Sequence, residues 1–149
     1  VIRIVVPGPP PRKNAKSGTS IGRNPKTGKP MRLPAKRSKA WRARLYDALM
    51  ENGQRLSTIE TGVWVVRIDV YEARKTKLSC GVIVGQGDFD SCVEPVIDAM
   101  KPLRKKVLGR MVVVERGLFD DDNRIVEGTV RKHYDKANPR VEITLTRET

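Results

Sequence analysis

The sequence predicts an α+β fold: one domain spanning residues 1–149, with a small mixed β-sheet and two principal helices. Three observations predict it. Residues 61–71, TGVWVVRIDVY, are dense in the β-branched and aromatic residues that suit a pleated, half-buried strand. Apolar residues recur at helical spacing in two segments, Trp41, Leu45, Ala48 and Leu49 in one, and Val93, Val96, Ile97 and Met100 in the other. Strand-like and helix-like stretches follow one another in mixed order, and no segment repeats another.

In chain order, residues 1–6 read as a strand closed by the turn-forming PGPPP. Residues 12–37 carry Gly, Pro, Ser and Lys but few apolar residues, which predicts a long, mobile basic loop. Ser38 is placed to cap a helix that runs to about Asn52 and ends at Gly53. Its apolar stripe is expected inside, with Lys39, Arg42 and Arg44 wet. After the 61–71 strand comes a loop made basic by Arg74, Lys75 and Lys77, then a glycine-punctuated loop or short strand over 80–87. The second helix opens near Asp88 or Asp90, with Pro95 tolerated in the first turn. Residues 101–110 form a basic connection, and MVVVERGLF is extended. Residues 124–134 and 140–146 alternate well enough to form a closing hairpin through DKANP.

The formal net charge is +13, and its distribution is uneven. Residues 1–59 hold fourteen Lys and Arg against two acids, whereas residues 60–149 hold sixteen against fifteen. A segment so basic condenses onto a polyanion by counterion release, which points to nucleic acid. The plainer reading is a solvated tail. An anionic membrane is a weaker partner, because no amphipathic helix with bulky anchors accompanies the charge. No run of about 18 apolar residues is present, which excludes a spanning helix, and VIRIVV is too short for the apolar core of a secretory signal. Cys80 and Cys92 lack metal-ligand spacing and read as free thiols in a reducing compartment. The lone His133 falls in a strand-like segment and reads as a satisfied or exposed imidazole.

Against this background the acids gather in two knots. GDFDSCVEPVIDAM places Asp88, Asp90, Glu94 and Asp98 within eleven positions, and FDDDN follows at 119–123. At 100° per residue Asp90, Glu94 and Asp98 share one helical face. Taken singly, these are ordinary features: an N-cap, a solvated stripe, a turn. Taken together they repel one another unless a cation sits among them. Hard divalent ions such as Mg²⁺ favour carboxylate oxygens shared with phosphate and water. A basic surface around a concentrated acidic pocket is the charge layout of a metal-dependent nuclease.

The chain also resembles the RusA-type Holliday-junction resolvases, small dimeric Mg²⁺-dependent endonucleases of bacteria and their prophages. IRIVVPGPPPRKN is similar to that family's first strand and Pro/Gly turn. DFDSCVEPVIDAM resembles its D-x-D-N-x-x-K-x-[VIL]-x-D-A-L helix start, and GLFDDDNRIVEGTVRK its G-[hydrophobic]-x-D-D segment. The resemblance implies a RusA-like fold and a homodimer in the bacterial cytoplasm. The implied activity is crossover-junction endodeoxyribonuclease, cutting four-way or otherwise branched DNA by paired nicks that leave 5′-phosphates. Carried over by position, Asp88, Asp90 and Asp122 would be catalytic and bind Mg²⁺, with Mn²⁺ as a substitute. Asp121 lies one register away, and Asp98 falls in a supporting position.

Two departures stand out. The family's lysine four positions after the second aspartate is Glu94 here. That residue is either an added metal ligand or the mark of altered or lost activity, with Lys75, Lys77 or the 101–110 segment supplying the cation instead. Sixteen residues separate Met100 from Gly117, a longer connection than the family's. Phosphate contacts are expected from Arg12, Lys13, Lys16, Arg23, Lys36, Arg37, Lys75, Lys77, Arg104, Lys105 and Lys106, with little direct sequence readout. The rival readings are a non-catalytic nucleic-acid-binding protein of the same fold, and a basic structural protein of a ribonucleoprotein or phage particle.

Overall fold

The computed structural model of the protein describes residues 1–9, 20–23, 25–33, 36–85 and 89–149. Side chains at 20–23, 30–33, 36–38, 57–58, 84, 89–93 and 122 fall outside that description. The alternation in IRIVVP forms β1 (Ile2–Pro7), which buries Ile4 and Val6 and turns Arg3 and Val5 outward. Where one long loop was expected, β2 (Ser20–Arg23) pairs with β3 (Pro30–Leu33) across a turn containing Pro25 and Gly28 (φ 67°).

Helix α1 (Lys36–Glu51) begins two residues before Ser38, which therefore lies inside the first turn rather than at the cap. It ends as expected at Gly53, whose positive φ of 69° lets its N–H reach the Met50 carbonyl at 2.9 Å. Trp41, Leu45, Ala48 and Leu49 are buried, and Lys39 and Arg44 are exposed. Arg42 is not wet: it is only 7% exposed. A short α2 (Leu56–Glu60), not expected from the sequence, buries Ile59, whose carbonyl accepts the Trp64 indole N–H at 2.8 Å.

Strand β4 (Trp64–Glu72) buries Trp64, Val66, Ile68 and Val70. The expected basic loop instead holds β5 (Lys75–Lys77), paired antiparallel with β6 (Ile83–Gly85). Helix α3 (Phe89–Met100) opens where the apolar spacing places it. Pro95 is its seventh residue, past the first turn, so one backbone hydrogen bond of the helix is forgone there. The expected basic connection is also a hairpin, β7 (Leu103–Val107) with β8 (Arg110–Glu115). A 3₁₀ turn at Asp122–Arg124 leads into β9 (Ile125–Tyr134), and β10 (Arg140–Arg147) follows.

The main sheet runs β1-β10-β4-β9. β9 lies parallel to β4 and β10 antiparallel to it, so β9 and β10 do not form the expected closing hairpin. The most apolar strand, β4, sits between them. The α+β class with a mixed sheet is what the structure shows, and α1 and α3 are the two principal helices. Both contribute to one core on a single sheet face, where Trp41, Leu45, Leu49, Val96 and Met100 meet Ile4, Val66, Ile68, Ile143 and Leu145. Among the described residues, no helix is long and apolar enough to cross a membrane. Cys80 is an exposed free thiol.

The opposite sheet face carries a connected polar network. Asp69 is 5% exposed and accepts from Arg67 Nε at 2.7 Å, with His133 Nε2 also 2.7 Å away. Tyr71 lies between the stacked His133 ring, 4.4 Å off, and the Arg140 guanidinium, 3.7 Å above it. Arg140 pairs with Asp135 and Glu142, and Arg3 also reaches Glu142 at 2.5 Å. Burial pushes the Asp69 and Glu142 carboxyls up, but their charged hydrogen bonds pull harder and both end below their ordinary values. His133 is thus a satisfied imidazole, one of the two states expected of it.

Candidate functional site

Asp90, Glu94 and Asp98 lie on α3, and the 120–122 turn follows a segment hydrogen-bonded to its last residue, so what holds α3 bears on both. An α-helix leaves its last carbonyls without partners. Here Arg42, projecting from α1, supplies them. Its Nη1 donates to Ala99 O at 2.7 Å and Lys101 O at 2.8 Å, and its Nη2 to Arg116 O at 3.3 Å. Tyr46, one turn on, donates its hydroxyl to the same Ala99 carbonyl at 3.1 Å. The positive guanidinium also faces the negative end of the α3 dipole. Glu115 lies 3.4 Å from Arg42 Nε, so the far strand of the β7–β8 hairpin is tied to the same point.

The chain then returns from that hairpin to the end of α3. Leu118 N–H donates to Met100 O at 2.8 Å, and Leu118 and Phe119 are fully buried. Gly117 permits this approach: a Cβ there would sit 2.5 Å from the backbone of Lys101 and Pro102. The acidic turn starts one residue after Phe119.

Within that turn the aspartates are not equivalent. Asp120 receives Arg124 through Nε at 2.8 Å and Nη2 at 2.9 Å, and this pairing holds its carboxyl below the usual range. Its backbone carbonyl accepts Arg104 Nη2 at 3.0 Å. Asp121 is exposed. Asp122 opens the 3₁₀ turn, and its side chain lies outside the described residues. Asp90 falls in the first turn of α3 with its side chain likewise undescribed, and Asp88 is outside the described residues. Glu94 is half-buried in the second turn, and Asp98 is exposed and pairs with Lys101 at 3.5 Å.

Among the described residues, no three His, Cys, Asp or Glu side chains cluster as metal ligands do. The basic residues divide similarly. Lys75, Lys77, Arg104, Lys105 and Lys106 are exposed, on strands rather than loops. Arg12, Lys13 and Lys16 lie outside the described residues, as do the side chains of Arg23, Lys36 and Arg37. Models of known protein families give no match to this chain, and no curated protein matches it in sequence.

Arg42 escaped the sequence reading because nothing local marks it. Its i+4 neighbour Tyr46 is the only trace, since both side chains turn to one face and the guanidinium rests 4.9 Å over the Tyr46 ring.

Proposed function

We propose that the protein is a Mg²⁺-dependent endonuclease that cuts branched DNA, of the RusA-type resolvase kind. One observation supports the reading: in a strongly basic chain, one firmly held helix carries Asp90, Glu94 and Asp98 and has the segment leading to the second acidic knot bonded to its end. Asp90 lies in the first turn of α3, and the 120–122 turn follows a segment docked on its last turn.

The donor set fits a hard cation. Asp88, Asp90 and Asp122 would hold it, with Asp121 next in line, and all offer carboxylate oxygen. Asp120 is already engaged by Arg124. A shared site asks the acidic turn to run back beside α3. From Phe119 to Asp122 the chain spans at most about 10 Å, against about 15 Å of helix between Met100 and Asp90. A shared site requires the two aspartate side chains and the ion between them to close the remaining distance.

When bound, such a cation supplies Lewis acidity toward a phosphate oxygen and a more acidic water. The protein's own work is placement. Arg42 and Gly117 fix the two acid-bearing segments, and exposed lysines and arginines hold the phosphate backbone of the substrate. A homodimer would supply two sites for two symmetric nicks.

Glu94 favours a second reading, in which the chain binds branched DNA without cutting it. A carboxylate in that position cannot stabilise charge on the phosphate as a lysine would. Incubating labelled four-way junctions with wild-type protein and with Glu94→Lys in Mg²⁺ separates the two. Cleavage by the wild type supports the nuclease. Cleavage that appears only in Glu94→Lys supports the binding protein.

A further inference from the structure

The β7–β8 hairpin does not behave like a strand pair that belongs to a core. All eleven of its strand residues are exposed, including Val107, Met111, Val112, Val113 and Val114. At its tip Leu108 is 100% exposed at φ 50°, followed by Gly109 at φ 79°. Two consecutive positive φ values make the tight hairpin turn that Asn-Gly normally occupies. Leu108 is the one non-glycine residue at positive φ among the described residues. A branched apolar side chain is therefore held in a strained backbone and aimed wholly into solvent, which folding alone does not explain.

The register adds a charge pattern. Arg104 lies opposite Val113, Lys105 opposite Val112 and Lys106 opposite Met111. Successive residues point to opposite faces, so both faces present a basic strand beside an apolar one. A second copy paired edge to edge along β8 would satisfy its free backbone but leave both faces wet. A DNA groove admits a two-stranded ribbon, covers both faces, and meets the cations with phosphates. The root is oriented too, by Arg104 on the Asp120 carbonyl and Glu115 beside Arg42.

We infer that this hairpin is a DNA-entering arm whose Leu108 wedges into a base step near the cut. The inference rests on the proposal that the chain acts on DNA. Lys105, Lys106 and Arg110 track phosphates, while the leucine unstacks a step that is already deformable, as at a junction. Four residues from Arg104 to Leu108 reach about 13 Å, so the opened step lies within roughly four base-pair rises of the acidic turn.

The test uses the full chain and a synthetic four-way junction with 2-aminopurine at and beside the crossover, in Ca²⁺ so that cleavage is silent. Wild-type protein is expected to raise the 2-aminopurine fluorescence. Leu108→Asn suits the turn better than leucine, so the hairpin survives while the wedge is lost. That variant is expected to abolish the rise and to weaken junction binding roughly tenfold, the scale of one lost apolar contact. Leu108→Phe is expected to keep both. If Leu108→Asn unstacks and binds like wild type, or turns a dimer into a monomer in sedimentation, the wedge is overturned. Cleavage in Mg²⁺ with no Leu108-dependent unstacking overturns the wedge and leaves the nuclease standing. Leu108-dependent unstacking without cleavage in Mg²⁺ or Mn²⁺ retires the nuclease and supports the wedge. A wild type that binds no DNA overturns both.

Discussion

The Arg42 guanidinium donates to the Ala99 carbonyl at 2.7 Å, joining α1 to the last turn of α3 across 57 positions of chain. With its bonds to Lys101 and Arg116 it gathers the helix end and both ends of the β7–β8 hairpin at one buried charge. The acid-bearing segments keep their geometry through this contact.

Removing that charge takes the Arg42 donor from the Lys101 and Arg116 carbonyls and leaves the Ala99 carbonyl with Tyr46 alone. Arg42→Ala is expected to lower stability by about 2–4 kcal/mol, read as a fall in the urea midpoint. Arg42→Lys restores the charge but not the fork, and is expected to fall between the two.

Gly117→Ala places a methyl against the Lys101 and Pro102 backbone, which cannot yield as a flexible side chain would. A loss of about 1–3 kcal/mol is expected. Denaturation with a tryptophan fluorescence readout checks it.

The polar sheet face predicts acid sensitivity. Asp69 and Glu142 have folded pKa values below their ordinary 3.8 and 4.5. Their contribution is therefore complete above the unfolded values and is lost as pH falls through the folded ones. Urea midpoints should be flat near neutrality and drop below about pH 4. Asp69→Asn should be less stable at neutral pH and show a shallower acid decline.

The aspartates of the second knot should separate by role. Asp122→Asn is expected to cut Mg²⁺-dependent cleavage by roughly 100-fold or more, since even supporting residues of metal sites cost 10–100-fold. Asp120→Asn should leave cleavage within a few-fold of wild type, because its carboxylate already serves Arg124. Single-turnover cleavage of a labelled junction measures both.

Binding to DNA should weaken steeply with salt. Replacing Lys105, Lys106 and Arg110 together by Ala should reduce the log K against log[salt] slope by about 2.7 if each neutralises one phosphate. An unchanged slope would show that the arm touches no backbone.

The readable parts of the fold were those whose signal is local. The Trp41–Leu49 stripe and the β-branched run around Val66 declare their elements because their own spacing buries them. The pairing of β9 and β10 is not legible, because alternation shows that a strand has two faces but not which strand lies beside it; β4 separates the two. The β7–β8 hairpin is hidden in the sequence because Leu-Gly is a poor turn signal and leucine resists positive φ. For the site, the clustered acids were visible in composition. The different state of Asp120 was not, because Arg124 reaches it only once the 3₁₀ turn has formed.

The most direct test is a labelled four-way junction incubated with wild-type protein and with Asp90→Asn in Mg²⁺, with binding measured in parallel. The expected result is paired, symmetric nicks by the wild type that vanish in Asp90→Asn while binding persists. Junction binding by the wild type with no cleavage in Mg²⁺ or Mn²⁺ would contradict a nuclease.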